Sequence, residues 1–131
     1  MKLSDYVAEF LAKQGVRYVF GITGGAVIHL FDSIEKRSDI DYICPQHEQA
    51  GAMAADAYAR LTGNIGVTLV TSGPGATNLL TGTCCSYYDS IPILNISGQV
   101  ATGRLKRDKK VRQIGFQETD IVAMAAPITK Y

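Results

Sequence analysis

Tryptophan is absent from this chain, aromatic residues make up only 8% of it, and its formal net charge is +1. With 47% hydrophobic and 19% charged residues, so even a balance excludes a disordered chain and leaves no general nucleic-acid footprint. No apolar run reaches the roughly 20 residues that a membrane span needs. Residues 1–14 carry Asp5 and Glu9 and do not read as a secretory leader. A cytoplasmic address, with no membrane or nucleic-acid partner, is the resulting expectation. Cysteine is scarce too: Cys44, Cys84 and Cys85 are odd in number and two are adjacent, which suits neither a disulfide framework nor the usual zinc spacings. They read as small buried thiols. His29 and His47 are the only imidazoles, neither with a second ligand at a productive spacing, so no protein-bound metal is expected.

What is present is a single domain's worth of chain, residues 1–131, in which short apolar runs alternate with helical periodicities. Residues 3–14 predict an amphipathic helix with Val7, Phe10 and Leu11 on one face and Gly15 as its stop. Tyr18-Val19-Phe20 predicts a strand that breaks into Gly21-Ile22-Thr23-Gly24-Gly25, after which Val27, Leu30, Phe31 and Ile34 resume a helix. A second unit starts with a short buried strand at residues 40–43. Pro45 then holds Cys44 out of the α region, and a helix follows, marked by Ala50, Met53, Ala54, Ala57, Tyr58 and Leu61 and closed at Gly63. The third strand, residues 66–71, runs into Ser72-Gly73-Pro74-Gly75-Ala76-Thr77-Asn78, where Pro74 suits the first turn of a helix directed towards Tyr87. A fourth strand, residues 91–96 with Pro92 at its opening, ends at Ser97-Gly98-Gln99. Residues 104–110 hold five positive charges and one negative and predict a solvated loop, with steering of an anionic ligand or ordering on assembly as the alternatives. Phe116-Gln117-Glu118 is expected to open a short helix through Ile121, Val122 and Ala125.

This alternation predicts an α/β fold: three layers, with a doubly wound, mostly parallel sheet between helices on both faces. Ligands of such sheets bind outside the carboxyl ends of the strands. Residues 21–25, His47-Glu48, residues 72–78 and Gly98-Gln99 all follow strands, so they are expected along one edge. Glu48 is the chemically interesting member, a carboxylate near the first turn of a helix. That position is also explained by attraction to the helix dipole, worth about 0.3–1 kcal/mol. No partner carboxylate stands at a spacing that suggests a two-acid hydrolase, and Thr71-Ser72-Gly73-Pro74-Gly75 is not a G-x-S-x-G elbow. Neither G-x-G-x-x-G nor G-x-x-x-x-G-K-[ST] occurs, which leaves a nucleotide site without its specific mark.

Taken in order, Val19-Phe20-Gly21 with Gly24-Gly25-Ala26, His47-Glu48-Gln49, Ala57-Tyr58-Ala59-Arg60, residues 71–78, Asp89-Ser90-Ile91-Pro92, Gly98-Gln99-Val100 and Phe116-Gln117-Glu118 form a highly specific set. By that set the chain resembles the N-terminal, pyrimidine-binding domain of thiamine diphosphate enzymes, the acetolactate synthase group above all. The resemblance covers nearly the whole chain. It implies that Glu48 hydrogen-bonds N1′ of the cofactor's aminopyrimidine and favours its imino tautomer, which promotes loss of the thiazolium C2 proton and attack on a 2-oxo acid such as pyruvate. It also implies that Gly24, Gly25, Pro74 and Asn78 bind the cofactor, and that Gly25, Phe116 and Gln117 approach the substrate channel.

The family's diphosphate-binding domain, with its G-D-G and distal Asn-Asn marks, has no counterpart in this sequence. The resemblance therefore implies a longer enzyme in which that other domain, from another subunit, binds Mg2+ and the diphosphate. A homodimer or homotetramer is implied, FAD is admitted in a middle domain, and this domain alone is expected to be inactive. Two positions depart from the acetolactate synthase pattern. Thr23 stands where proline is usual, and residues 104–115 are longer and more basic than the loop expected there. They fit a related lyase or transferase, such as one of saccharide metabolism. A non-catalytic α/β assembly module is the remaining alternative.

Overall fold

The computed structural model describes residues 1–131. Four strands, β1 (Tyr18–Gly21), β2 (Asp41–Ile43), β3 (Gly66–Val70) and β4 (Ile93–Ser97), form one sheet in the order β2-β1-β3-β4, with every neighbouring pair parallel. Around it run α1 (Leu3–Lys13), α2 (Ile28–Glu35), α3 (Glu48–Thr62), α4 (Pro74–Thr77), α5 (Leu80–Tyr88) and α6 (Ile121–Ala125). No helix is long and apolar enough to cross a membrane. All of β3 is buried, as a strand covered on both faces must be. Its alternating side chains divide between two cores. Val67 and Leu69 join Leu11, Val19, Phe31 and Ile34 in the layer of α1 and α2, while Val70 meets Ala52, Ala76 and Leu79 in the layer of α3 and α5.

The seat of α3 matters most, because its first residue is Glu48. Gly51, Ala52, Ala55 and Ala59 face inward, so the helix backbone can lie close to the sheet. A Cβ on Gly66 would overlap the Ala55 carbonyl oxygen, and one on Gly82 would overlap the Ala52 methyl. Arg60 then bonds both Asp56 and Asp89, and the Ser86 hydroxyl donates to Asp56 at 2.7 Å, which ties α3 to α5 and the turn beyond it. Gly66→Ala is expected to destabilise the fold by about 1–3 kcal/mol through overpacking. A lower urea midpoint at unchanged slope is the expected readout, and a wild-type midpoint contradicts the close seat.

Several sequence expectations are corrected. The strand at residues 40–43 is a three-residue edge strand with Asp41 and Ile43 exposed, because β2 has a neighbour on one side only; Ile40, just before it, is the buried residue. The helix marked by residues 50–61 is present as α3, and its larger apolar residues lie outside, with Met53 45% and Leu61 87% exposed, since the sheet accepts only the small-residue face. Phe116-Gln117-Glu118 is a turn, and the short helix begins at Ile121 with Asp120 as its side-chain cap. The cysteines are free but not buried: Cys44 follows the edge strand, and Cys85 lies on the outer side of α5.

Candidate functional site

Strand order reverses between β1 and β3, so the turns leaving those two strands open a crevice at their carboxyl ends. Thr71 stands in this crevice. A Cβ on Gly24 would lie 2.5 Å from the Thr71 Cβ, and one on Gly75 would lie 2.8 Å from its Cγ2, so the two turns close around this one side chain only as glycines. The same Gly75 position is 3.4 Å from Glu48 Oε1, which joins the acid to the two glycine turns.

Glu48 is held from two directions. His47, in extended conformation, caps α3 by accepting the Gln49 N–H on Nδ1 at 3.2 Å, and this sets Glu48 as the first helical residue. From the other side the Asn78 side-chain amide donates to Glu48 Oε2 at 2.9 Å. Asn78 is available because the single helix expected from Pro74 onward is interrupted there, where Leu79 N–H bonds back to the Ala76 carbonyl at 3.1 Å in a tighter turn. Oε1 has no hydrogen-bond partner within the chain, and the side chain as a whole is half-buried.

The remaining motifs brace this centre. Gly73 adopts φ +61°, and a Cβ there would come 2.5 Å from the Gln117 carbonyl oxygen. Gln117 itself is left-handed at φ +55°, a conformation that costs energy for a residue with a side chain and persists where its surroundings enforce it. Gly98 packs against Ala26, and the Gln99 amide donates to the Thr119 carbonyl at 2.7 Å. The structure thus connects Glu48 and Asn78 directly, Gly24 through Thr71 and Gly75, and places Gln117 against Gly73. Gly25, Pro74 and Phe116 lie beside these residues along the same rim, all exposed, with Phe116 77% so. An apolar cavity of about 290 Å³, lined by Ala76, Leu79, Ile121 and Ala125 among others, does not include Glu48.

Sequence reasoning left two contributors without a role. Thr71 was part of a recognised motif, but only the missing Cβ atoms of Gly24 and Gly75 reveal that it fills the space between turns. Glu118 accepts the Lys106 N–H at 2.6 Å and the Ile114 N–H at 3.1 Å, and so closes the basic loop at both ends. The Lys106 N–H, with further help from Ile114, holds its carboxyl below the usual glutamate range. Because the folded-state value is lowered, this tie is fully present above the unfolded value and is lost as pH falls through the folded one. The Lys106 and Ile114 amide signals, followed by NMR from about pH 6 to pH 3, are expected to shift together with a midpoint below the ordinary glutamate value of about 4.3. Independent or absent titration contradicts the shared anchor.

A doubly wound parallel sheet with an acid set among glycine turns at its switch point defines a cofactor-binding α/β domain. Residues 1–124 match the family described as thiamine pyrophosphate enzyme, N-terminal TPP binding domain, and the chain belongs to that family. The acetolactate synthase isozyme 3 large subunit of Escherichia coli (strain K12) is 45% identical over 128 residues, 98% of this chain and 21% of the relative. The acetolactate synthase large subunit of Lactococcus lactis subsp. lactis (strain IL1403) is 43% identical over 128 residues, with the same coverage of 98% and 21%. The probable acetolactate synthase large subunit of Methanocaldococcus jannaschii is 42% identical over 131 residues, all of this chain and 21% of the relative. The chain therefore spans about a fifth of the length of the curated relatives it matches. The resemblance drawn from the motifs is borne out.

Proposed function

We propose that the full-length protein is a thiamine diphosphate enzyme of the acetolactate synthase type, in which this domain holds the aminopyrimidine of the cofactor. The observation that carries the reading is Glu48, with one oxygen tied by Asn78 and the other free beside Gly75. A carboxylate oriented in this way can share a proton with one ring nitrogen through its free oxygen. The cradle suits a flat ring as well, since side chains at Gly24 and Gly75 would crowd Thr71 and the acid. Pro74 and Asn78 would line the ring, the Gly25 backbone would face the reacting centre, and Phe116 and Gln117 would border the substrate's approach. When bound, thiamine diphosphate supplies the carbon chemistry for decarboxylating a 2-oxo acid such as pyruvate and joining its remainder to an acceptor. Glu48 contributes by holding and moving a proton at the ring nitrogen.

The relatives' names support acetolactate formation; branched-chain amino acid biosynthesis in the cytoplasm is the setting we propose for it. Their greater length supports further domains; the reading assigns to these the binding of Mg2+, the diphosphate and FAD, and takes the enzyme as a dimer or tetramer in which another subunit's diphosphate domain covers Glu48. On this reading the domain alone is inactive. Full-length protein supplied with pyruvate, thiamine diphosphate and Mg2+ is expected to form acetolactate. Exchange of the cofactor's C2 proton without acetolactate overturns the substrate assignment, and absence of both overturns the cofactor role. Thr23 and the basic loop favour a second reading, a related lyase or transferase acting on another 2-oxo acid, distinguished by the product formed.

A further inference from the structure

The net charge of +1 conceals a segregation. Arg104, Lys106, Arg107, Lys109, Lys110 and Arg112 fall within nine residues with Asp108 as the one acid among them, whereas the rest of the chain holds seven Lys and Arg against eleven Asp and Glu. None of these six cations belongs to an ion pair, although Lys2, Lys13, Lys36, Arg37 and Arg60 all do. The loop is also shaped. Glu118 gathers its two ends, Lys109 N–H returns to the Lys106 carbonyl at 2.9 Å, and Lys106 Nζ reaches the Arg112 carbonyl at 3.5 Å. A basin of about 460 Å³ results, lined by Thr102, Gly103, Leu105, Lys106, Arg107, Asp108 and Lys109. The segment leaves the Gly98–Gln99 turn and returns at Phe116-Gln117, whose backbone lies against Gly73 of the candidate site.

We propose that this loop receives the phosphoryl group of a small-molecule acceptor, held beside the site so that its carbonyl carbon can reach the reacting centre. Three cations around one basin exceed what the single carboxylate of pyruvate requires and match a phosphate dianion. Nucleic acid is disfavoured, because the rest of the chain carries more acids than cations and would repel an extended polyanion. The proposal rests on the carboligase reading above and adds a phosphorylated aldehyde as an acceptor beside the second pyruvate that acetolactate formation consumes. In the reaction, pyruvate loses CO2, its two-carbon remainder forms a carbon–carbon bond to the acceptor aldehyde with uptake of one proton, and the phosphate ester is untouched.

The test uses the full-length protein with D-glyceraldehyde 3-phosphate and D-glyceraldehyde as acceptors and pyruvate as donor. The phosphate ester is expected to have a KM about tenfold lower, and to protect the loop from trypsin at constant ionic strength where glyceraldehyde does not. In the combined variant Arg107→Gln, Lys109→Gln, Lys110→Gln, the preference should shrink to near parity. Equal KM values together with no protection overturn the proposal, as does equal protection by thiamine diphosphate or by heparin. C2-proton exchange measured in the same protein keeps the two readings apart. Retained exchange with an unprotected loop defeats the loop proposal alone, and lost exchange defeats the carboligase reading.

Discussion

Glu48→Gln in the full-length protein is expected to lower turnover of pyruvate by about 10²–10⁴-fold, the usual loss when a positioned acid–base group is removed. Glutamine has the same shape and can still accept the Asn78 amide through its own carbonyl oxygen, so the tie at 2.9 Å survives. What disappears is a group able to take up and return a proton beside Gly75. The side chain is half-buried and belongs to no ion pair, and its helix keeps the His47 cap and the small-residue seat on the sheet. Tm should therefore stay close to wild type. Steady-state kinetics and the rate of C2-proton exchange on bound cofactor report the same loss. Wild-type exchange in the variant contradicts a proton-transfer role, and a collapsed Tm would instead mark the carboxylate as structural.

Gly75→Ala is the second large effect. Its new methyl would lie 2.8 Å from Thr71 Cγ2 and 3.4 Å from Glu48 Oε1. The first distance is too short to persist, so Thr71 or the turn must move, and the second sets a methyl against the one free carboxylate oxygen. Overpacking of this size costs about 1–3 kcal/mol, which corresponds to cofactor affinity weakened roughly 5- to 150-fold if the strain is relieved only in the unbound state. Because the offending atom is a methyl group, Thr71→Ser in the same background should restore much of the affinity. Rescue of this kind separates crowding around Thr71 from a general loss of stability, which the serine would not repair. Equal affinities for wild type and Gly75→Ala contradict the shared cradle.

Much of this architecture could be read from the chain because the signals were local. Gly63 ends α3 at φ +71°, and the four strands fall at or next to the apolar runs that announce them. Features that depended on what lay across from them were hidden. The exposure of β2 follows from its place at the sheet edge, which no run of three residues announces. The apolar spacing announces α3 but not its inward face, because close approach to Gly66 and Gly82 demands the small residues there. The site was visible as motifs but not as contacts. Glu48 stood out by its helix position, yet its partner Asn78 comes from thirty residues away and required the break between α4 and α5. Likewise Arg60 and Asp89 were noticed in separate motifs, and the fold shows that they bond to each other.

A structure of the full-length protein with thiamine diphosphate bound is the most direct test of the central claim. Glu48 Oε1 is predicted to lie within hydrogen-bonding distance, about 2.6–3.2 Å, of a pyrimidine ring nitrogen, with Oε2 still on Asn78. A pyrimidine ring seated elsewhere, for instance in the apolar cavity beside Ile121, with Glu48 making no contact to it, contradicts the claim.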